Sequence, residues 1–187
     1  MPKLLEIELT PKIWKEADRR TDKLPIFKNS HRKRDANLVG CLGEILVEMW
    51  LDAEGVGYTA ELKKTTHDYR LADGSTFDVK TKDRTVIPKQ NYDCTRPSYN
   101  ASHQNPDYYV FASLYRNRNH EADNVTRFRK AFILGAIKKT EFDKVGKDWK
   151  KGQVDPSNGT KFWTACRNVY ISQLECYEDI ADQWEAL

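Results

Sequence analysis

The sequence predicts an α/β protein, with a mixed β-sheet of about five strands flanked by α-helices in one domain spanning residues 1–187. Three observations predict it. Residues 35–53 carry apolar side chains at helical spacing. Residues 108–115 (YYVFASLY) and 131–137 (AFILGAI) are nearly continuous apolar runs, as strands buried on both faces are. Between the helix and these runs lie short alternating segments punctuated by glycine, which read as strands and turns. With 39% hydrophobic and 11% aromatic residues, a chain of 187 residues can fill one core and is not compositionally disordered.

Residues 1–34 form an N-terminal arm and helix. Residues 4–9 alternate apolar and acidic side chains, as a short strand or an extended arm would. Thr10-Pro11 then reads as an N-cap followed by proline at the first helical position, predicting a helix over 11–23 with Ile13, Trp14 and Ala17 on one side. His31-Arg32-Lys33-Arg34 is a basic run, either a solvated loop or a contact for phosphate through Arg32 and Arg34.

Residues 35–115 form the core. Leu38, Leu42, Ile45, Leu46 and Met49 make one apolar stripe on the helix over 35–53. Gly40, Gly43, Glu44 and Val47 make a second face. An interior glycine costs a helix about 1 kcal/mol relative to alanine, so two on one face suggest that another backbone passes close by. Glu44 would then point at whatever approaches. Gly55-Val56-Gly57 ends the helix. Strands follow over 58–63, 68–71 and 76–82, the last two around a turn at Ala72-Asp73-Gly74. Residues 83–106 are a long polar connection.

Residues 116–187 supply the remaining strands and helices. Besides the run at 131–137, a short helix is predicted over 138–145 and a short strand over 168–171. Ser172 with Glu175 three residues later reads as a capping box, starting a helix that ends near Trp184. Its apolar face of Leu174, Tyr177, Ile180, Ala181 and Trp184 suits a core-covering helix or a dimer face.

Composition excludes some chemistry. Net charge is only +3, from 31 basic and 28 acidic residues, so a nucleic-acid partner would need local basic patches. The four cysteines are scattered without a CxxC pair, which argues for reduced thiols and against a zinc site or a disulfide framework. No apolar run approaches the roughly 18 residues of a membrane span, and no apolar signal core opens the chain, so a cytoplasmic location is expected. His31, His67, His103 and His120 are dispersed, and no glycine-rich phosphate loop is present.

The informative stretch is residues 67–82. On a strand, Phe77, Val79 and Thr81 share one face, and Asp78, Lys80 and Lys82 share the other. A two-residue turn at Asp73-Gly74 would put Asp68 opposite Val79, on the wrong face. A three-residue loop, with Gly74 in the left-handed position, would put Asp68 directly across from Asp78. Opposed carboxylates are destabilising unless a cation joins them, and carboxylate oxygens are hard ligands suited to Mg²⁺. The three-residue loop is therefore expected. The bland alternative is a surface hairpin of solvated charges.

Taken together, Gly40-Cys41-Leu42-Gly43-Glu44, then Asp68, then Asp78-Val79-Lys80 resemble the PD-(D/E)xK nuclease superfamily. The order matches its common core of helix, three strands, helix and strand, over residues 35–115. DVKTK, a polar loop and the YYVFASL strand are similar to phage-encoded and homing-type members, which would place the protein in a host cytoplasm. His67 stands where the family has proline. The resemblance implies a restriction-endonuclease-like fold and a metal-dependent DNA endonuclease hydrolysing phosphodiester bonds. It assigns Glu44, Asp68, Asp78 and Lys80 to catalysis, with Asp68, Asp78 and Glu44 holding Mg²⁺, for which Mn²⁺ would substitute, and Lys80 assisting the attacking water.

Many members carry a helix between the catalytic strand and the next, sometimes with a helpful glutamine. Here Gln90 and Gln104 are both candidates. Lys82, Arg84, Lys89 and Arg96, interleaved with Tyr92, Tyr99 and His103, suit phosphate contact and base stacking, or simply a surface loop. Alternatives within the same chemistry are a junction resolvase, an exonuclease or an RNA-directed enzyme. Outside it stand a non-catalytic nucleic-acid-binding protein and a metal-independent interaction module. Cutting both strands with one site per chain suggests a homodimer.

Overall fold

A computed structural model describes residues 3–25, 34–117 and 124–187. Its centre is the pairing of β4 (Thr76–Arg84) with β6 (Tyr108–Arg116), the one parallel pair in the main sheet, in register from Phe77↔Tyr108 to Arg84↔Tyr115. Around it lie β1 (Leu5–Glu8), β2 (Tyr58–Ala60), β3 (Tyr69–Leu71) and β7 (Phe128–Lys138), in the order β1-β7-β6-β4-β3-β2. A second sheet has the order β5-β9-β8, from β5 (Asp93–Pro97), β8 (Lys147–Trp149) and β9 (Cys166–Tyr170). The described residues thus hold six strands in one mixed sheet and three in a small one, where about five were expected. β5 and β8 escaped because one lies in a polar, proline-bounded stretch and the other is three residues long.

Helices α1 (Pro11–Thr21), α2 (Arg34–Ala53) and α4 (Tyr177–Glu185) cover one face of the main sheet. Thr10 caps α1 as expected, accepting from Ile13 N at 3.5 Å. The other face packs on the small sheet and α3 (Lys139–Val145) through Tyr109, Phe111, Phe132, Leu134, Phe142 and Val169. Burying β6 and β7 between these layers explains their unbroken apolar sequence.

α2 is buried nearly all round, so its core side is wider than one stripe. Met49 is 41% exposed and leaves the predicted stripe, while Cys41, Val47 and Trp50 join the core. Gly43 has the close neighbour its type suggested. A Cβ there would lie 1.7 Å from Thr81 Oγ1, so a side chain of β4, not a backbone, demands the glycine. Gly40 faces open space, and close approach does not account for it.

The C-terminal helix begins later than the Ser172/Glu175 pattern implied. Glu175 spends its backbone on β7, donating to Ala136 O at 2.8 Å and accepting from Ala136 N at 3.2 Å. Gly135 permits this approach: its φ is +129°, and a Cβ would lie 2.2 Å from Glu175 O. Residues Ile171–Gln173 therefore form a 3-10 turn, and α4 starts after Cys176. Ile180, Ala181 and Trp184 then enter the core, with Trp184 stacked on Phe77 at 5.2 Å and against Trp50 at 6.2 Å. This is a core-covering helix. All four cysteines are free, and no helix among the described residues is long and apolar enough to cross a membrane.

Candidate active site

The β3–β4 hairpin takes the three-residue loop. Leu71 N donates to Ser75 O at 2.8 Å, Gly74 N donates to Leu71 O at 3.0 Å, and Gly74 sits at φ +89°. Tyr69 pairs with Phe77 and Arg70 with Thr76, a register that, continued by one residue, would bring Asp68 opposite Asp78. The ladder stops there. Asp68 N still donates to Phe77 O at 3.1 Å, but β3 then diverges, and the next free donor of β4, Val79 N, is taken by Asp68 Oδ2 at 2.8 Å. One carboxylate oxygen thus replaces a missing strand carbonyl. Buried backbone donors find partners, and this one fixes Asp68 beside Asp78.

The two carboxyls are poorly solvated. Asp78 is 1% exposed. Burial pushes the Asp68 carboxyl up to about 8, with the Asp78 charge adding to it, and burial likewise raises Asp78. Asp78 Oδ2 is buried, and its partner is the Lys80 ammonium, which meets it as an ion pair. Lys80 Nζ also donates to Gln104 Oε1 at 2.7 Å. Of the two candidate glutamines, Gln104 is therefore the one at the site. Gln90 lies by the small sheet, its carbonyl accepting from Ser172 N at 2.9 Å.

Glu44, on α2, lies within electrostatic reach of the pair. Burial pushes its carboxyl up to about 7, opposed by Arg20 and assisted by Glu48 and Asp78. Glu48, one turn later on α2, was not singled out in the sequence, although its spacing of four from Glu44 marks it. It accepts from Arg20 Nη1 and Nη2 at 2.9 and 2.7 Å and from Tyr69 Oη at 2.8 Å, tying α1, α2 and β3 together beneath the site. His67, in the place of the family's proline, is buried between Glu61 and Thr66 and holds the approach to Asp68.

The residues present fit a divalent cation in one specific sense. Among the described residues no group of three or more His, Cys, Asp or Glu side chains converges as a closed cage would require. Mg²⁺, however, keeps several waters and needs only one or two protein carboxylates. Two adjacent carboxyls held out of bulk solvent, with Lys80 as the cation now pairing Asp78, meet that demand.

The basic candidates separate. Lys82 and Arg84 continue the Asp78 face of β4: Lys82 Nζ donates to Thr95 Oγ1 at 3.2 Å and Arg84 Nη2 to Asp93 O at 2.6 Å. Arg96 is instead a core residue, 6% exposed, bonded to Tyr109 Oη and Asp143 at 3.2 and 3.3 Å with its guanidinium over the Phe142 ring. Its place on β5, packed against α3, removes it from an outward phosphate contact. Lys89 is exposed. Arg34 pairs with Asp18 and Asp22 at 3.0 and 2.7 Å, and Arg32 lies outside the described residues.

No family model matches the chain, and no curated protein matches it.

Proposed function

We propose that this protein is a metal-dependent nuclease of the PD-(D/E)xK type, with a restriction-endonuclease-like fold and DNA as its substrate. One observation carries the reading: the Asp68 carboxylate, bonded to Val79 N, lies beside the Asp78 carboxyl at the point where the hairpin splays, with Lys80 two residues further along the Asp78 face. The element order α2, β2, β3, β4 and β6 supports it, with a 3-10 turn at Ser98–Ser102 in the position of the family's second helix.

Asp68 and Asp78 would hold Mg²⁺, or Mn²⁺ in its place. A bound divalent ion supplies Lewis acidity toward a phosphate oxygen and lowers the pKa of water. Lys80 orients the attacking water and offsets the charge gathering on the phosphate oxygens. Gln104 keeps the ammonium directed into the site. Glu44, with its carboxyl near 7, exchanges a proton at neutral pH and suits the role of acid or base.

The test is cleavage of supercoiled plasmid, linear duplex, branched DNA and single-stranded RNA with Mg²⁺, Mn²⁺ or chelator, comparing wild type with Asp78→Asn and Lys80→Met. Metal-dependent cleavage lost in both variants establishes the site, and the panel separates endonuclease from resolvase, exonuclease and ribonuclease. Cleavage that survives Asp78→Asn overturns the assignment. Sedimentation of the protein with duplex tests whether two copies assemble to cut both strands.

A further inference from the structure

Beyond Lys80 the same face of β4 opens into a cavity of about 280 Å³ between the two sheets. Lys80, Lys82 and Arg84 line one wall, Asp93, Thr95 and Asn100 the other, and Phe111 and Leu134 give it an apolar floor. Its volume is several times the roughly 30 Å³ that one water occupies.

Its cations are incompletely satisfied. An ammonium has three donors, and Lys82 Nζ has one partner here, Thr95 Oγ1. Arg84 Nη2 donates to the Asp93 carbonyl and the guanidinium lies over the Tyr92 ring, but Arg84 Nε is buried with no hydrogen-bond partner. Asp93 is the single carboxylate in the lining; its Oδ2 accepts from Asn158 Nδ2 at 3.0 Å, and its Oδ1 is buried without a hydrogen-bond partner. Burial, with the Arg84 charge adding to it, pushes the Lys82 ammonium down to about 8, and burial lowers Arg84 as well. Two desolvated like charges beside one carboxylate leave a cavity that favours an anion.

We propose that this cavity is a phosphate site separate from the carboxylate pair, in which Lys82 and Arg84 hold a phosphate of the strand whose neighbouring phosphodiester lies at Asp68, Asp78 and Lys80. The ligand class is a phosphate carried on a nucleotide: the ammonium, the guanidinium, Thr95 and Asn100 meet its oxygens, and Phe111 and Leu134 meet its apolar part. Lys80 stands at the boundary, touching Asp78 on one side and lining the cavity on the other. The identification of the anion rests on the nuclease reading; the anion site itself does not.

The experiment is isothermal titration of inorganic phosphate and of a nucleoside 5′-monophosphate into the full chain, with chelator present so that no metal-dependent step contributes. Wild type should bind both, the nucleotide more tightly. Lys82→Gln and Arg84→Gln should each weaken binding at least tenfold, about 1.4 kcal/mol, with Lys82→Gln keeping the wild-type circular dichroism spectrum. No binding to wild type by about 10 mM, or undiminished binding in Lys82→Gln, overturns the proposal. Oligonucleotides with and without an end phosphate identify the source. A tenfold preference for the phosphorylated end assigns a strand terminus, and equal binding lost in Lys82→Gln assigns an internal phosphodiester. Phosphate binding without cleavage by any metal would leave this site standing while the nuclease reading fails, and the reverse would do the opposite.

Discussion

The two ends of one strand face in β4 carry the same problem with opposite sign. At the hairpin end, Asp68 is half-buried and Asp78 buried, and loss of solvent pushes both carboxyls up in pKa; the Asp78 charge raises Asp68 further, while a hydrogen bond from Asp68 favours the Asp78 carboxylate. Further along, Lys82 and Arg84 are half-buried cations pushed down. Lys80 sits between and is ion-paired with Asp78. Neither end is explained by stability, because solvated or apolar side chains would fold more easily. Together they suit a cation and an anion held side by side, which is what a metal ion and a phosphate are.

The largest effects should come from breaking the acidic end. Asp78→Asn should abolish cleavage, and Lys80→Met should lower kcat by about 10²–10³, the usual loss when one charge-stabilising donor is removed. Single-turnover assays at saturating duplex check this. If both variants cut normally while Lys82→Gln does not, the assignment of the two ends is reversed.

Next comes the packing that holds the helix to the strand. Gly43→Ala puts a methyl against Thr81 and should cost about 1–3 kcal/mol in urea unfolding, with partial recovery in the double variant with Thr81→Ala. Wild-type stability in Gly43→Ala would mean that α2 and β4 are not locked together, and that Glu44 is not held near the aspartates.

A smaller effect separates the ends by pH. A carboxyl whose folded pKa is raised favours folding below its unfolded value, about 4, and that contribution is lost as pH rises through its folded value. For Asp68 the window is therefore about pH 4 to 8. Metal-free protein should lose melting temperature across it. Mg²⁺ should raise the melting temperature more at pH 8 than at pH 5, and Asp68→Asn should erase most of that difference. An equal Mg²⁺ shift at both pH values would argue against ion binding at this pair.

The smallest effect belongs to the basic end. If Lys82 contacts a phosphate, Lys82→Gln should reduce the salt dependence of duplex affinity by about one ion. An unchanged slope would place the strand elsewhere.

The hairpin was legible because three local rules agreed. Alternation put Asp78 and Lys80 on one face, glycine chemistry set a three-residue loop, and the loop length fixed the register of Asp68. Long apolar strands and the capped α1 were legible for the same reason. The small sheet was not. β5 carries Cys94 and Arg96, whose burial depends on β9 and α3, far along the chain. The late start of α4 was equally non-local, since Glu175 is claimed by Ala136. Arg96 looked like a phosphate contact by composition, and only its packing partners show that it is spent in the core.

Trp184 stacks on Phe77, the residue just before Asp78, and also meets Trp50. A ribosome delivers the hairpin long before it delivers α4, and domains fold as units only once their parts have emerged. During that interval Asp68 and Asp78 lack the wall behind Phe77, remain hydrated and titrate as ordinary carboxylates. The hairpin is therefore expected to reach its native packing around Phe77 only once α4 has been made.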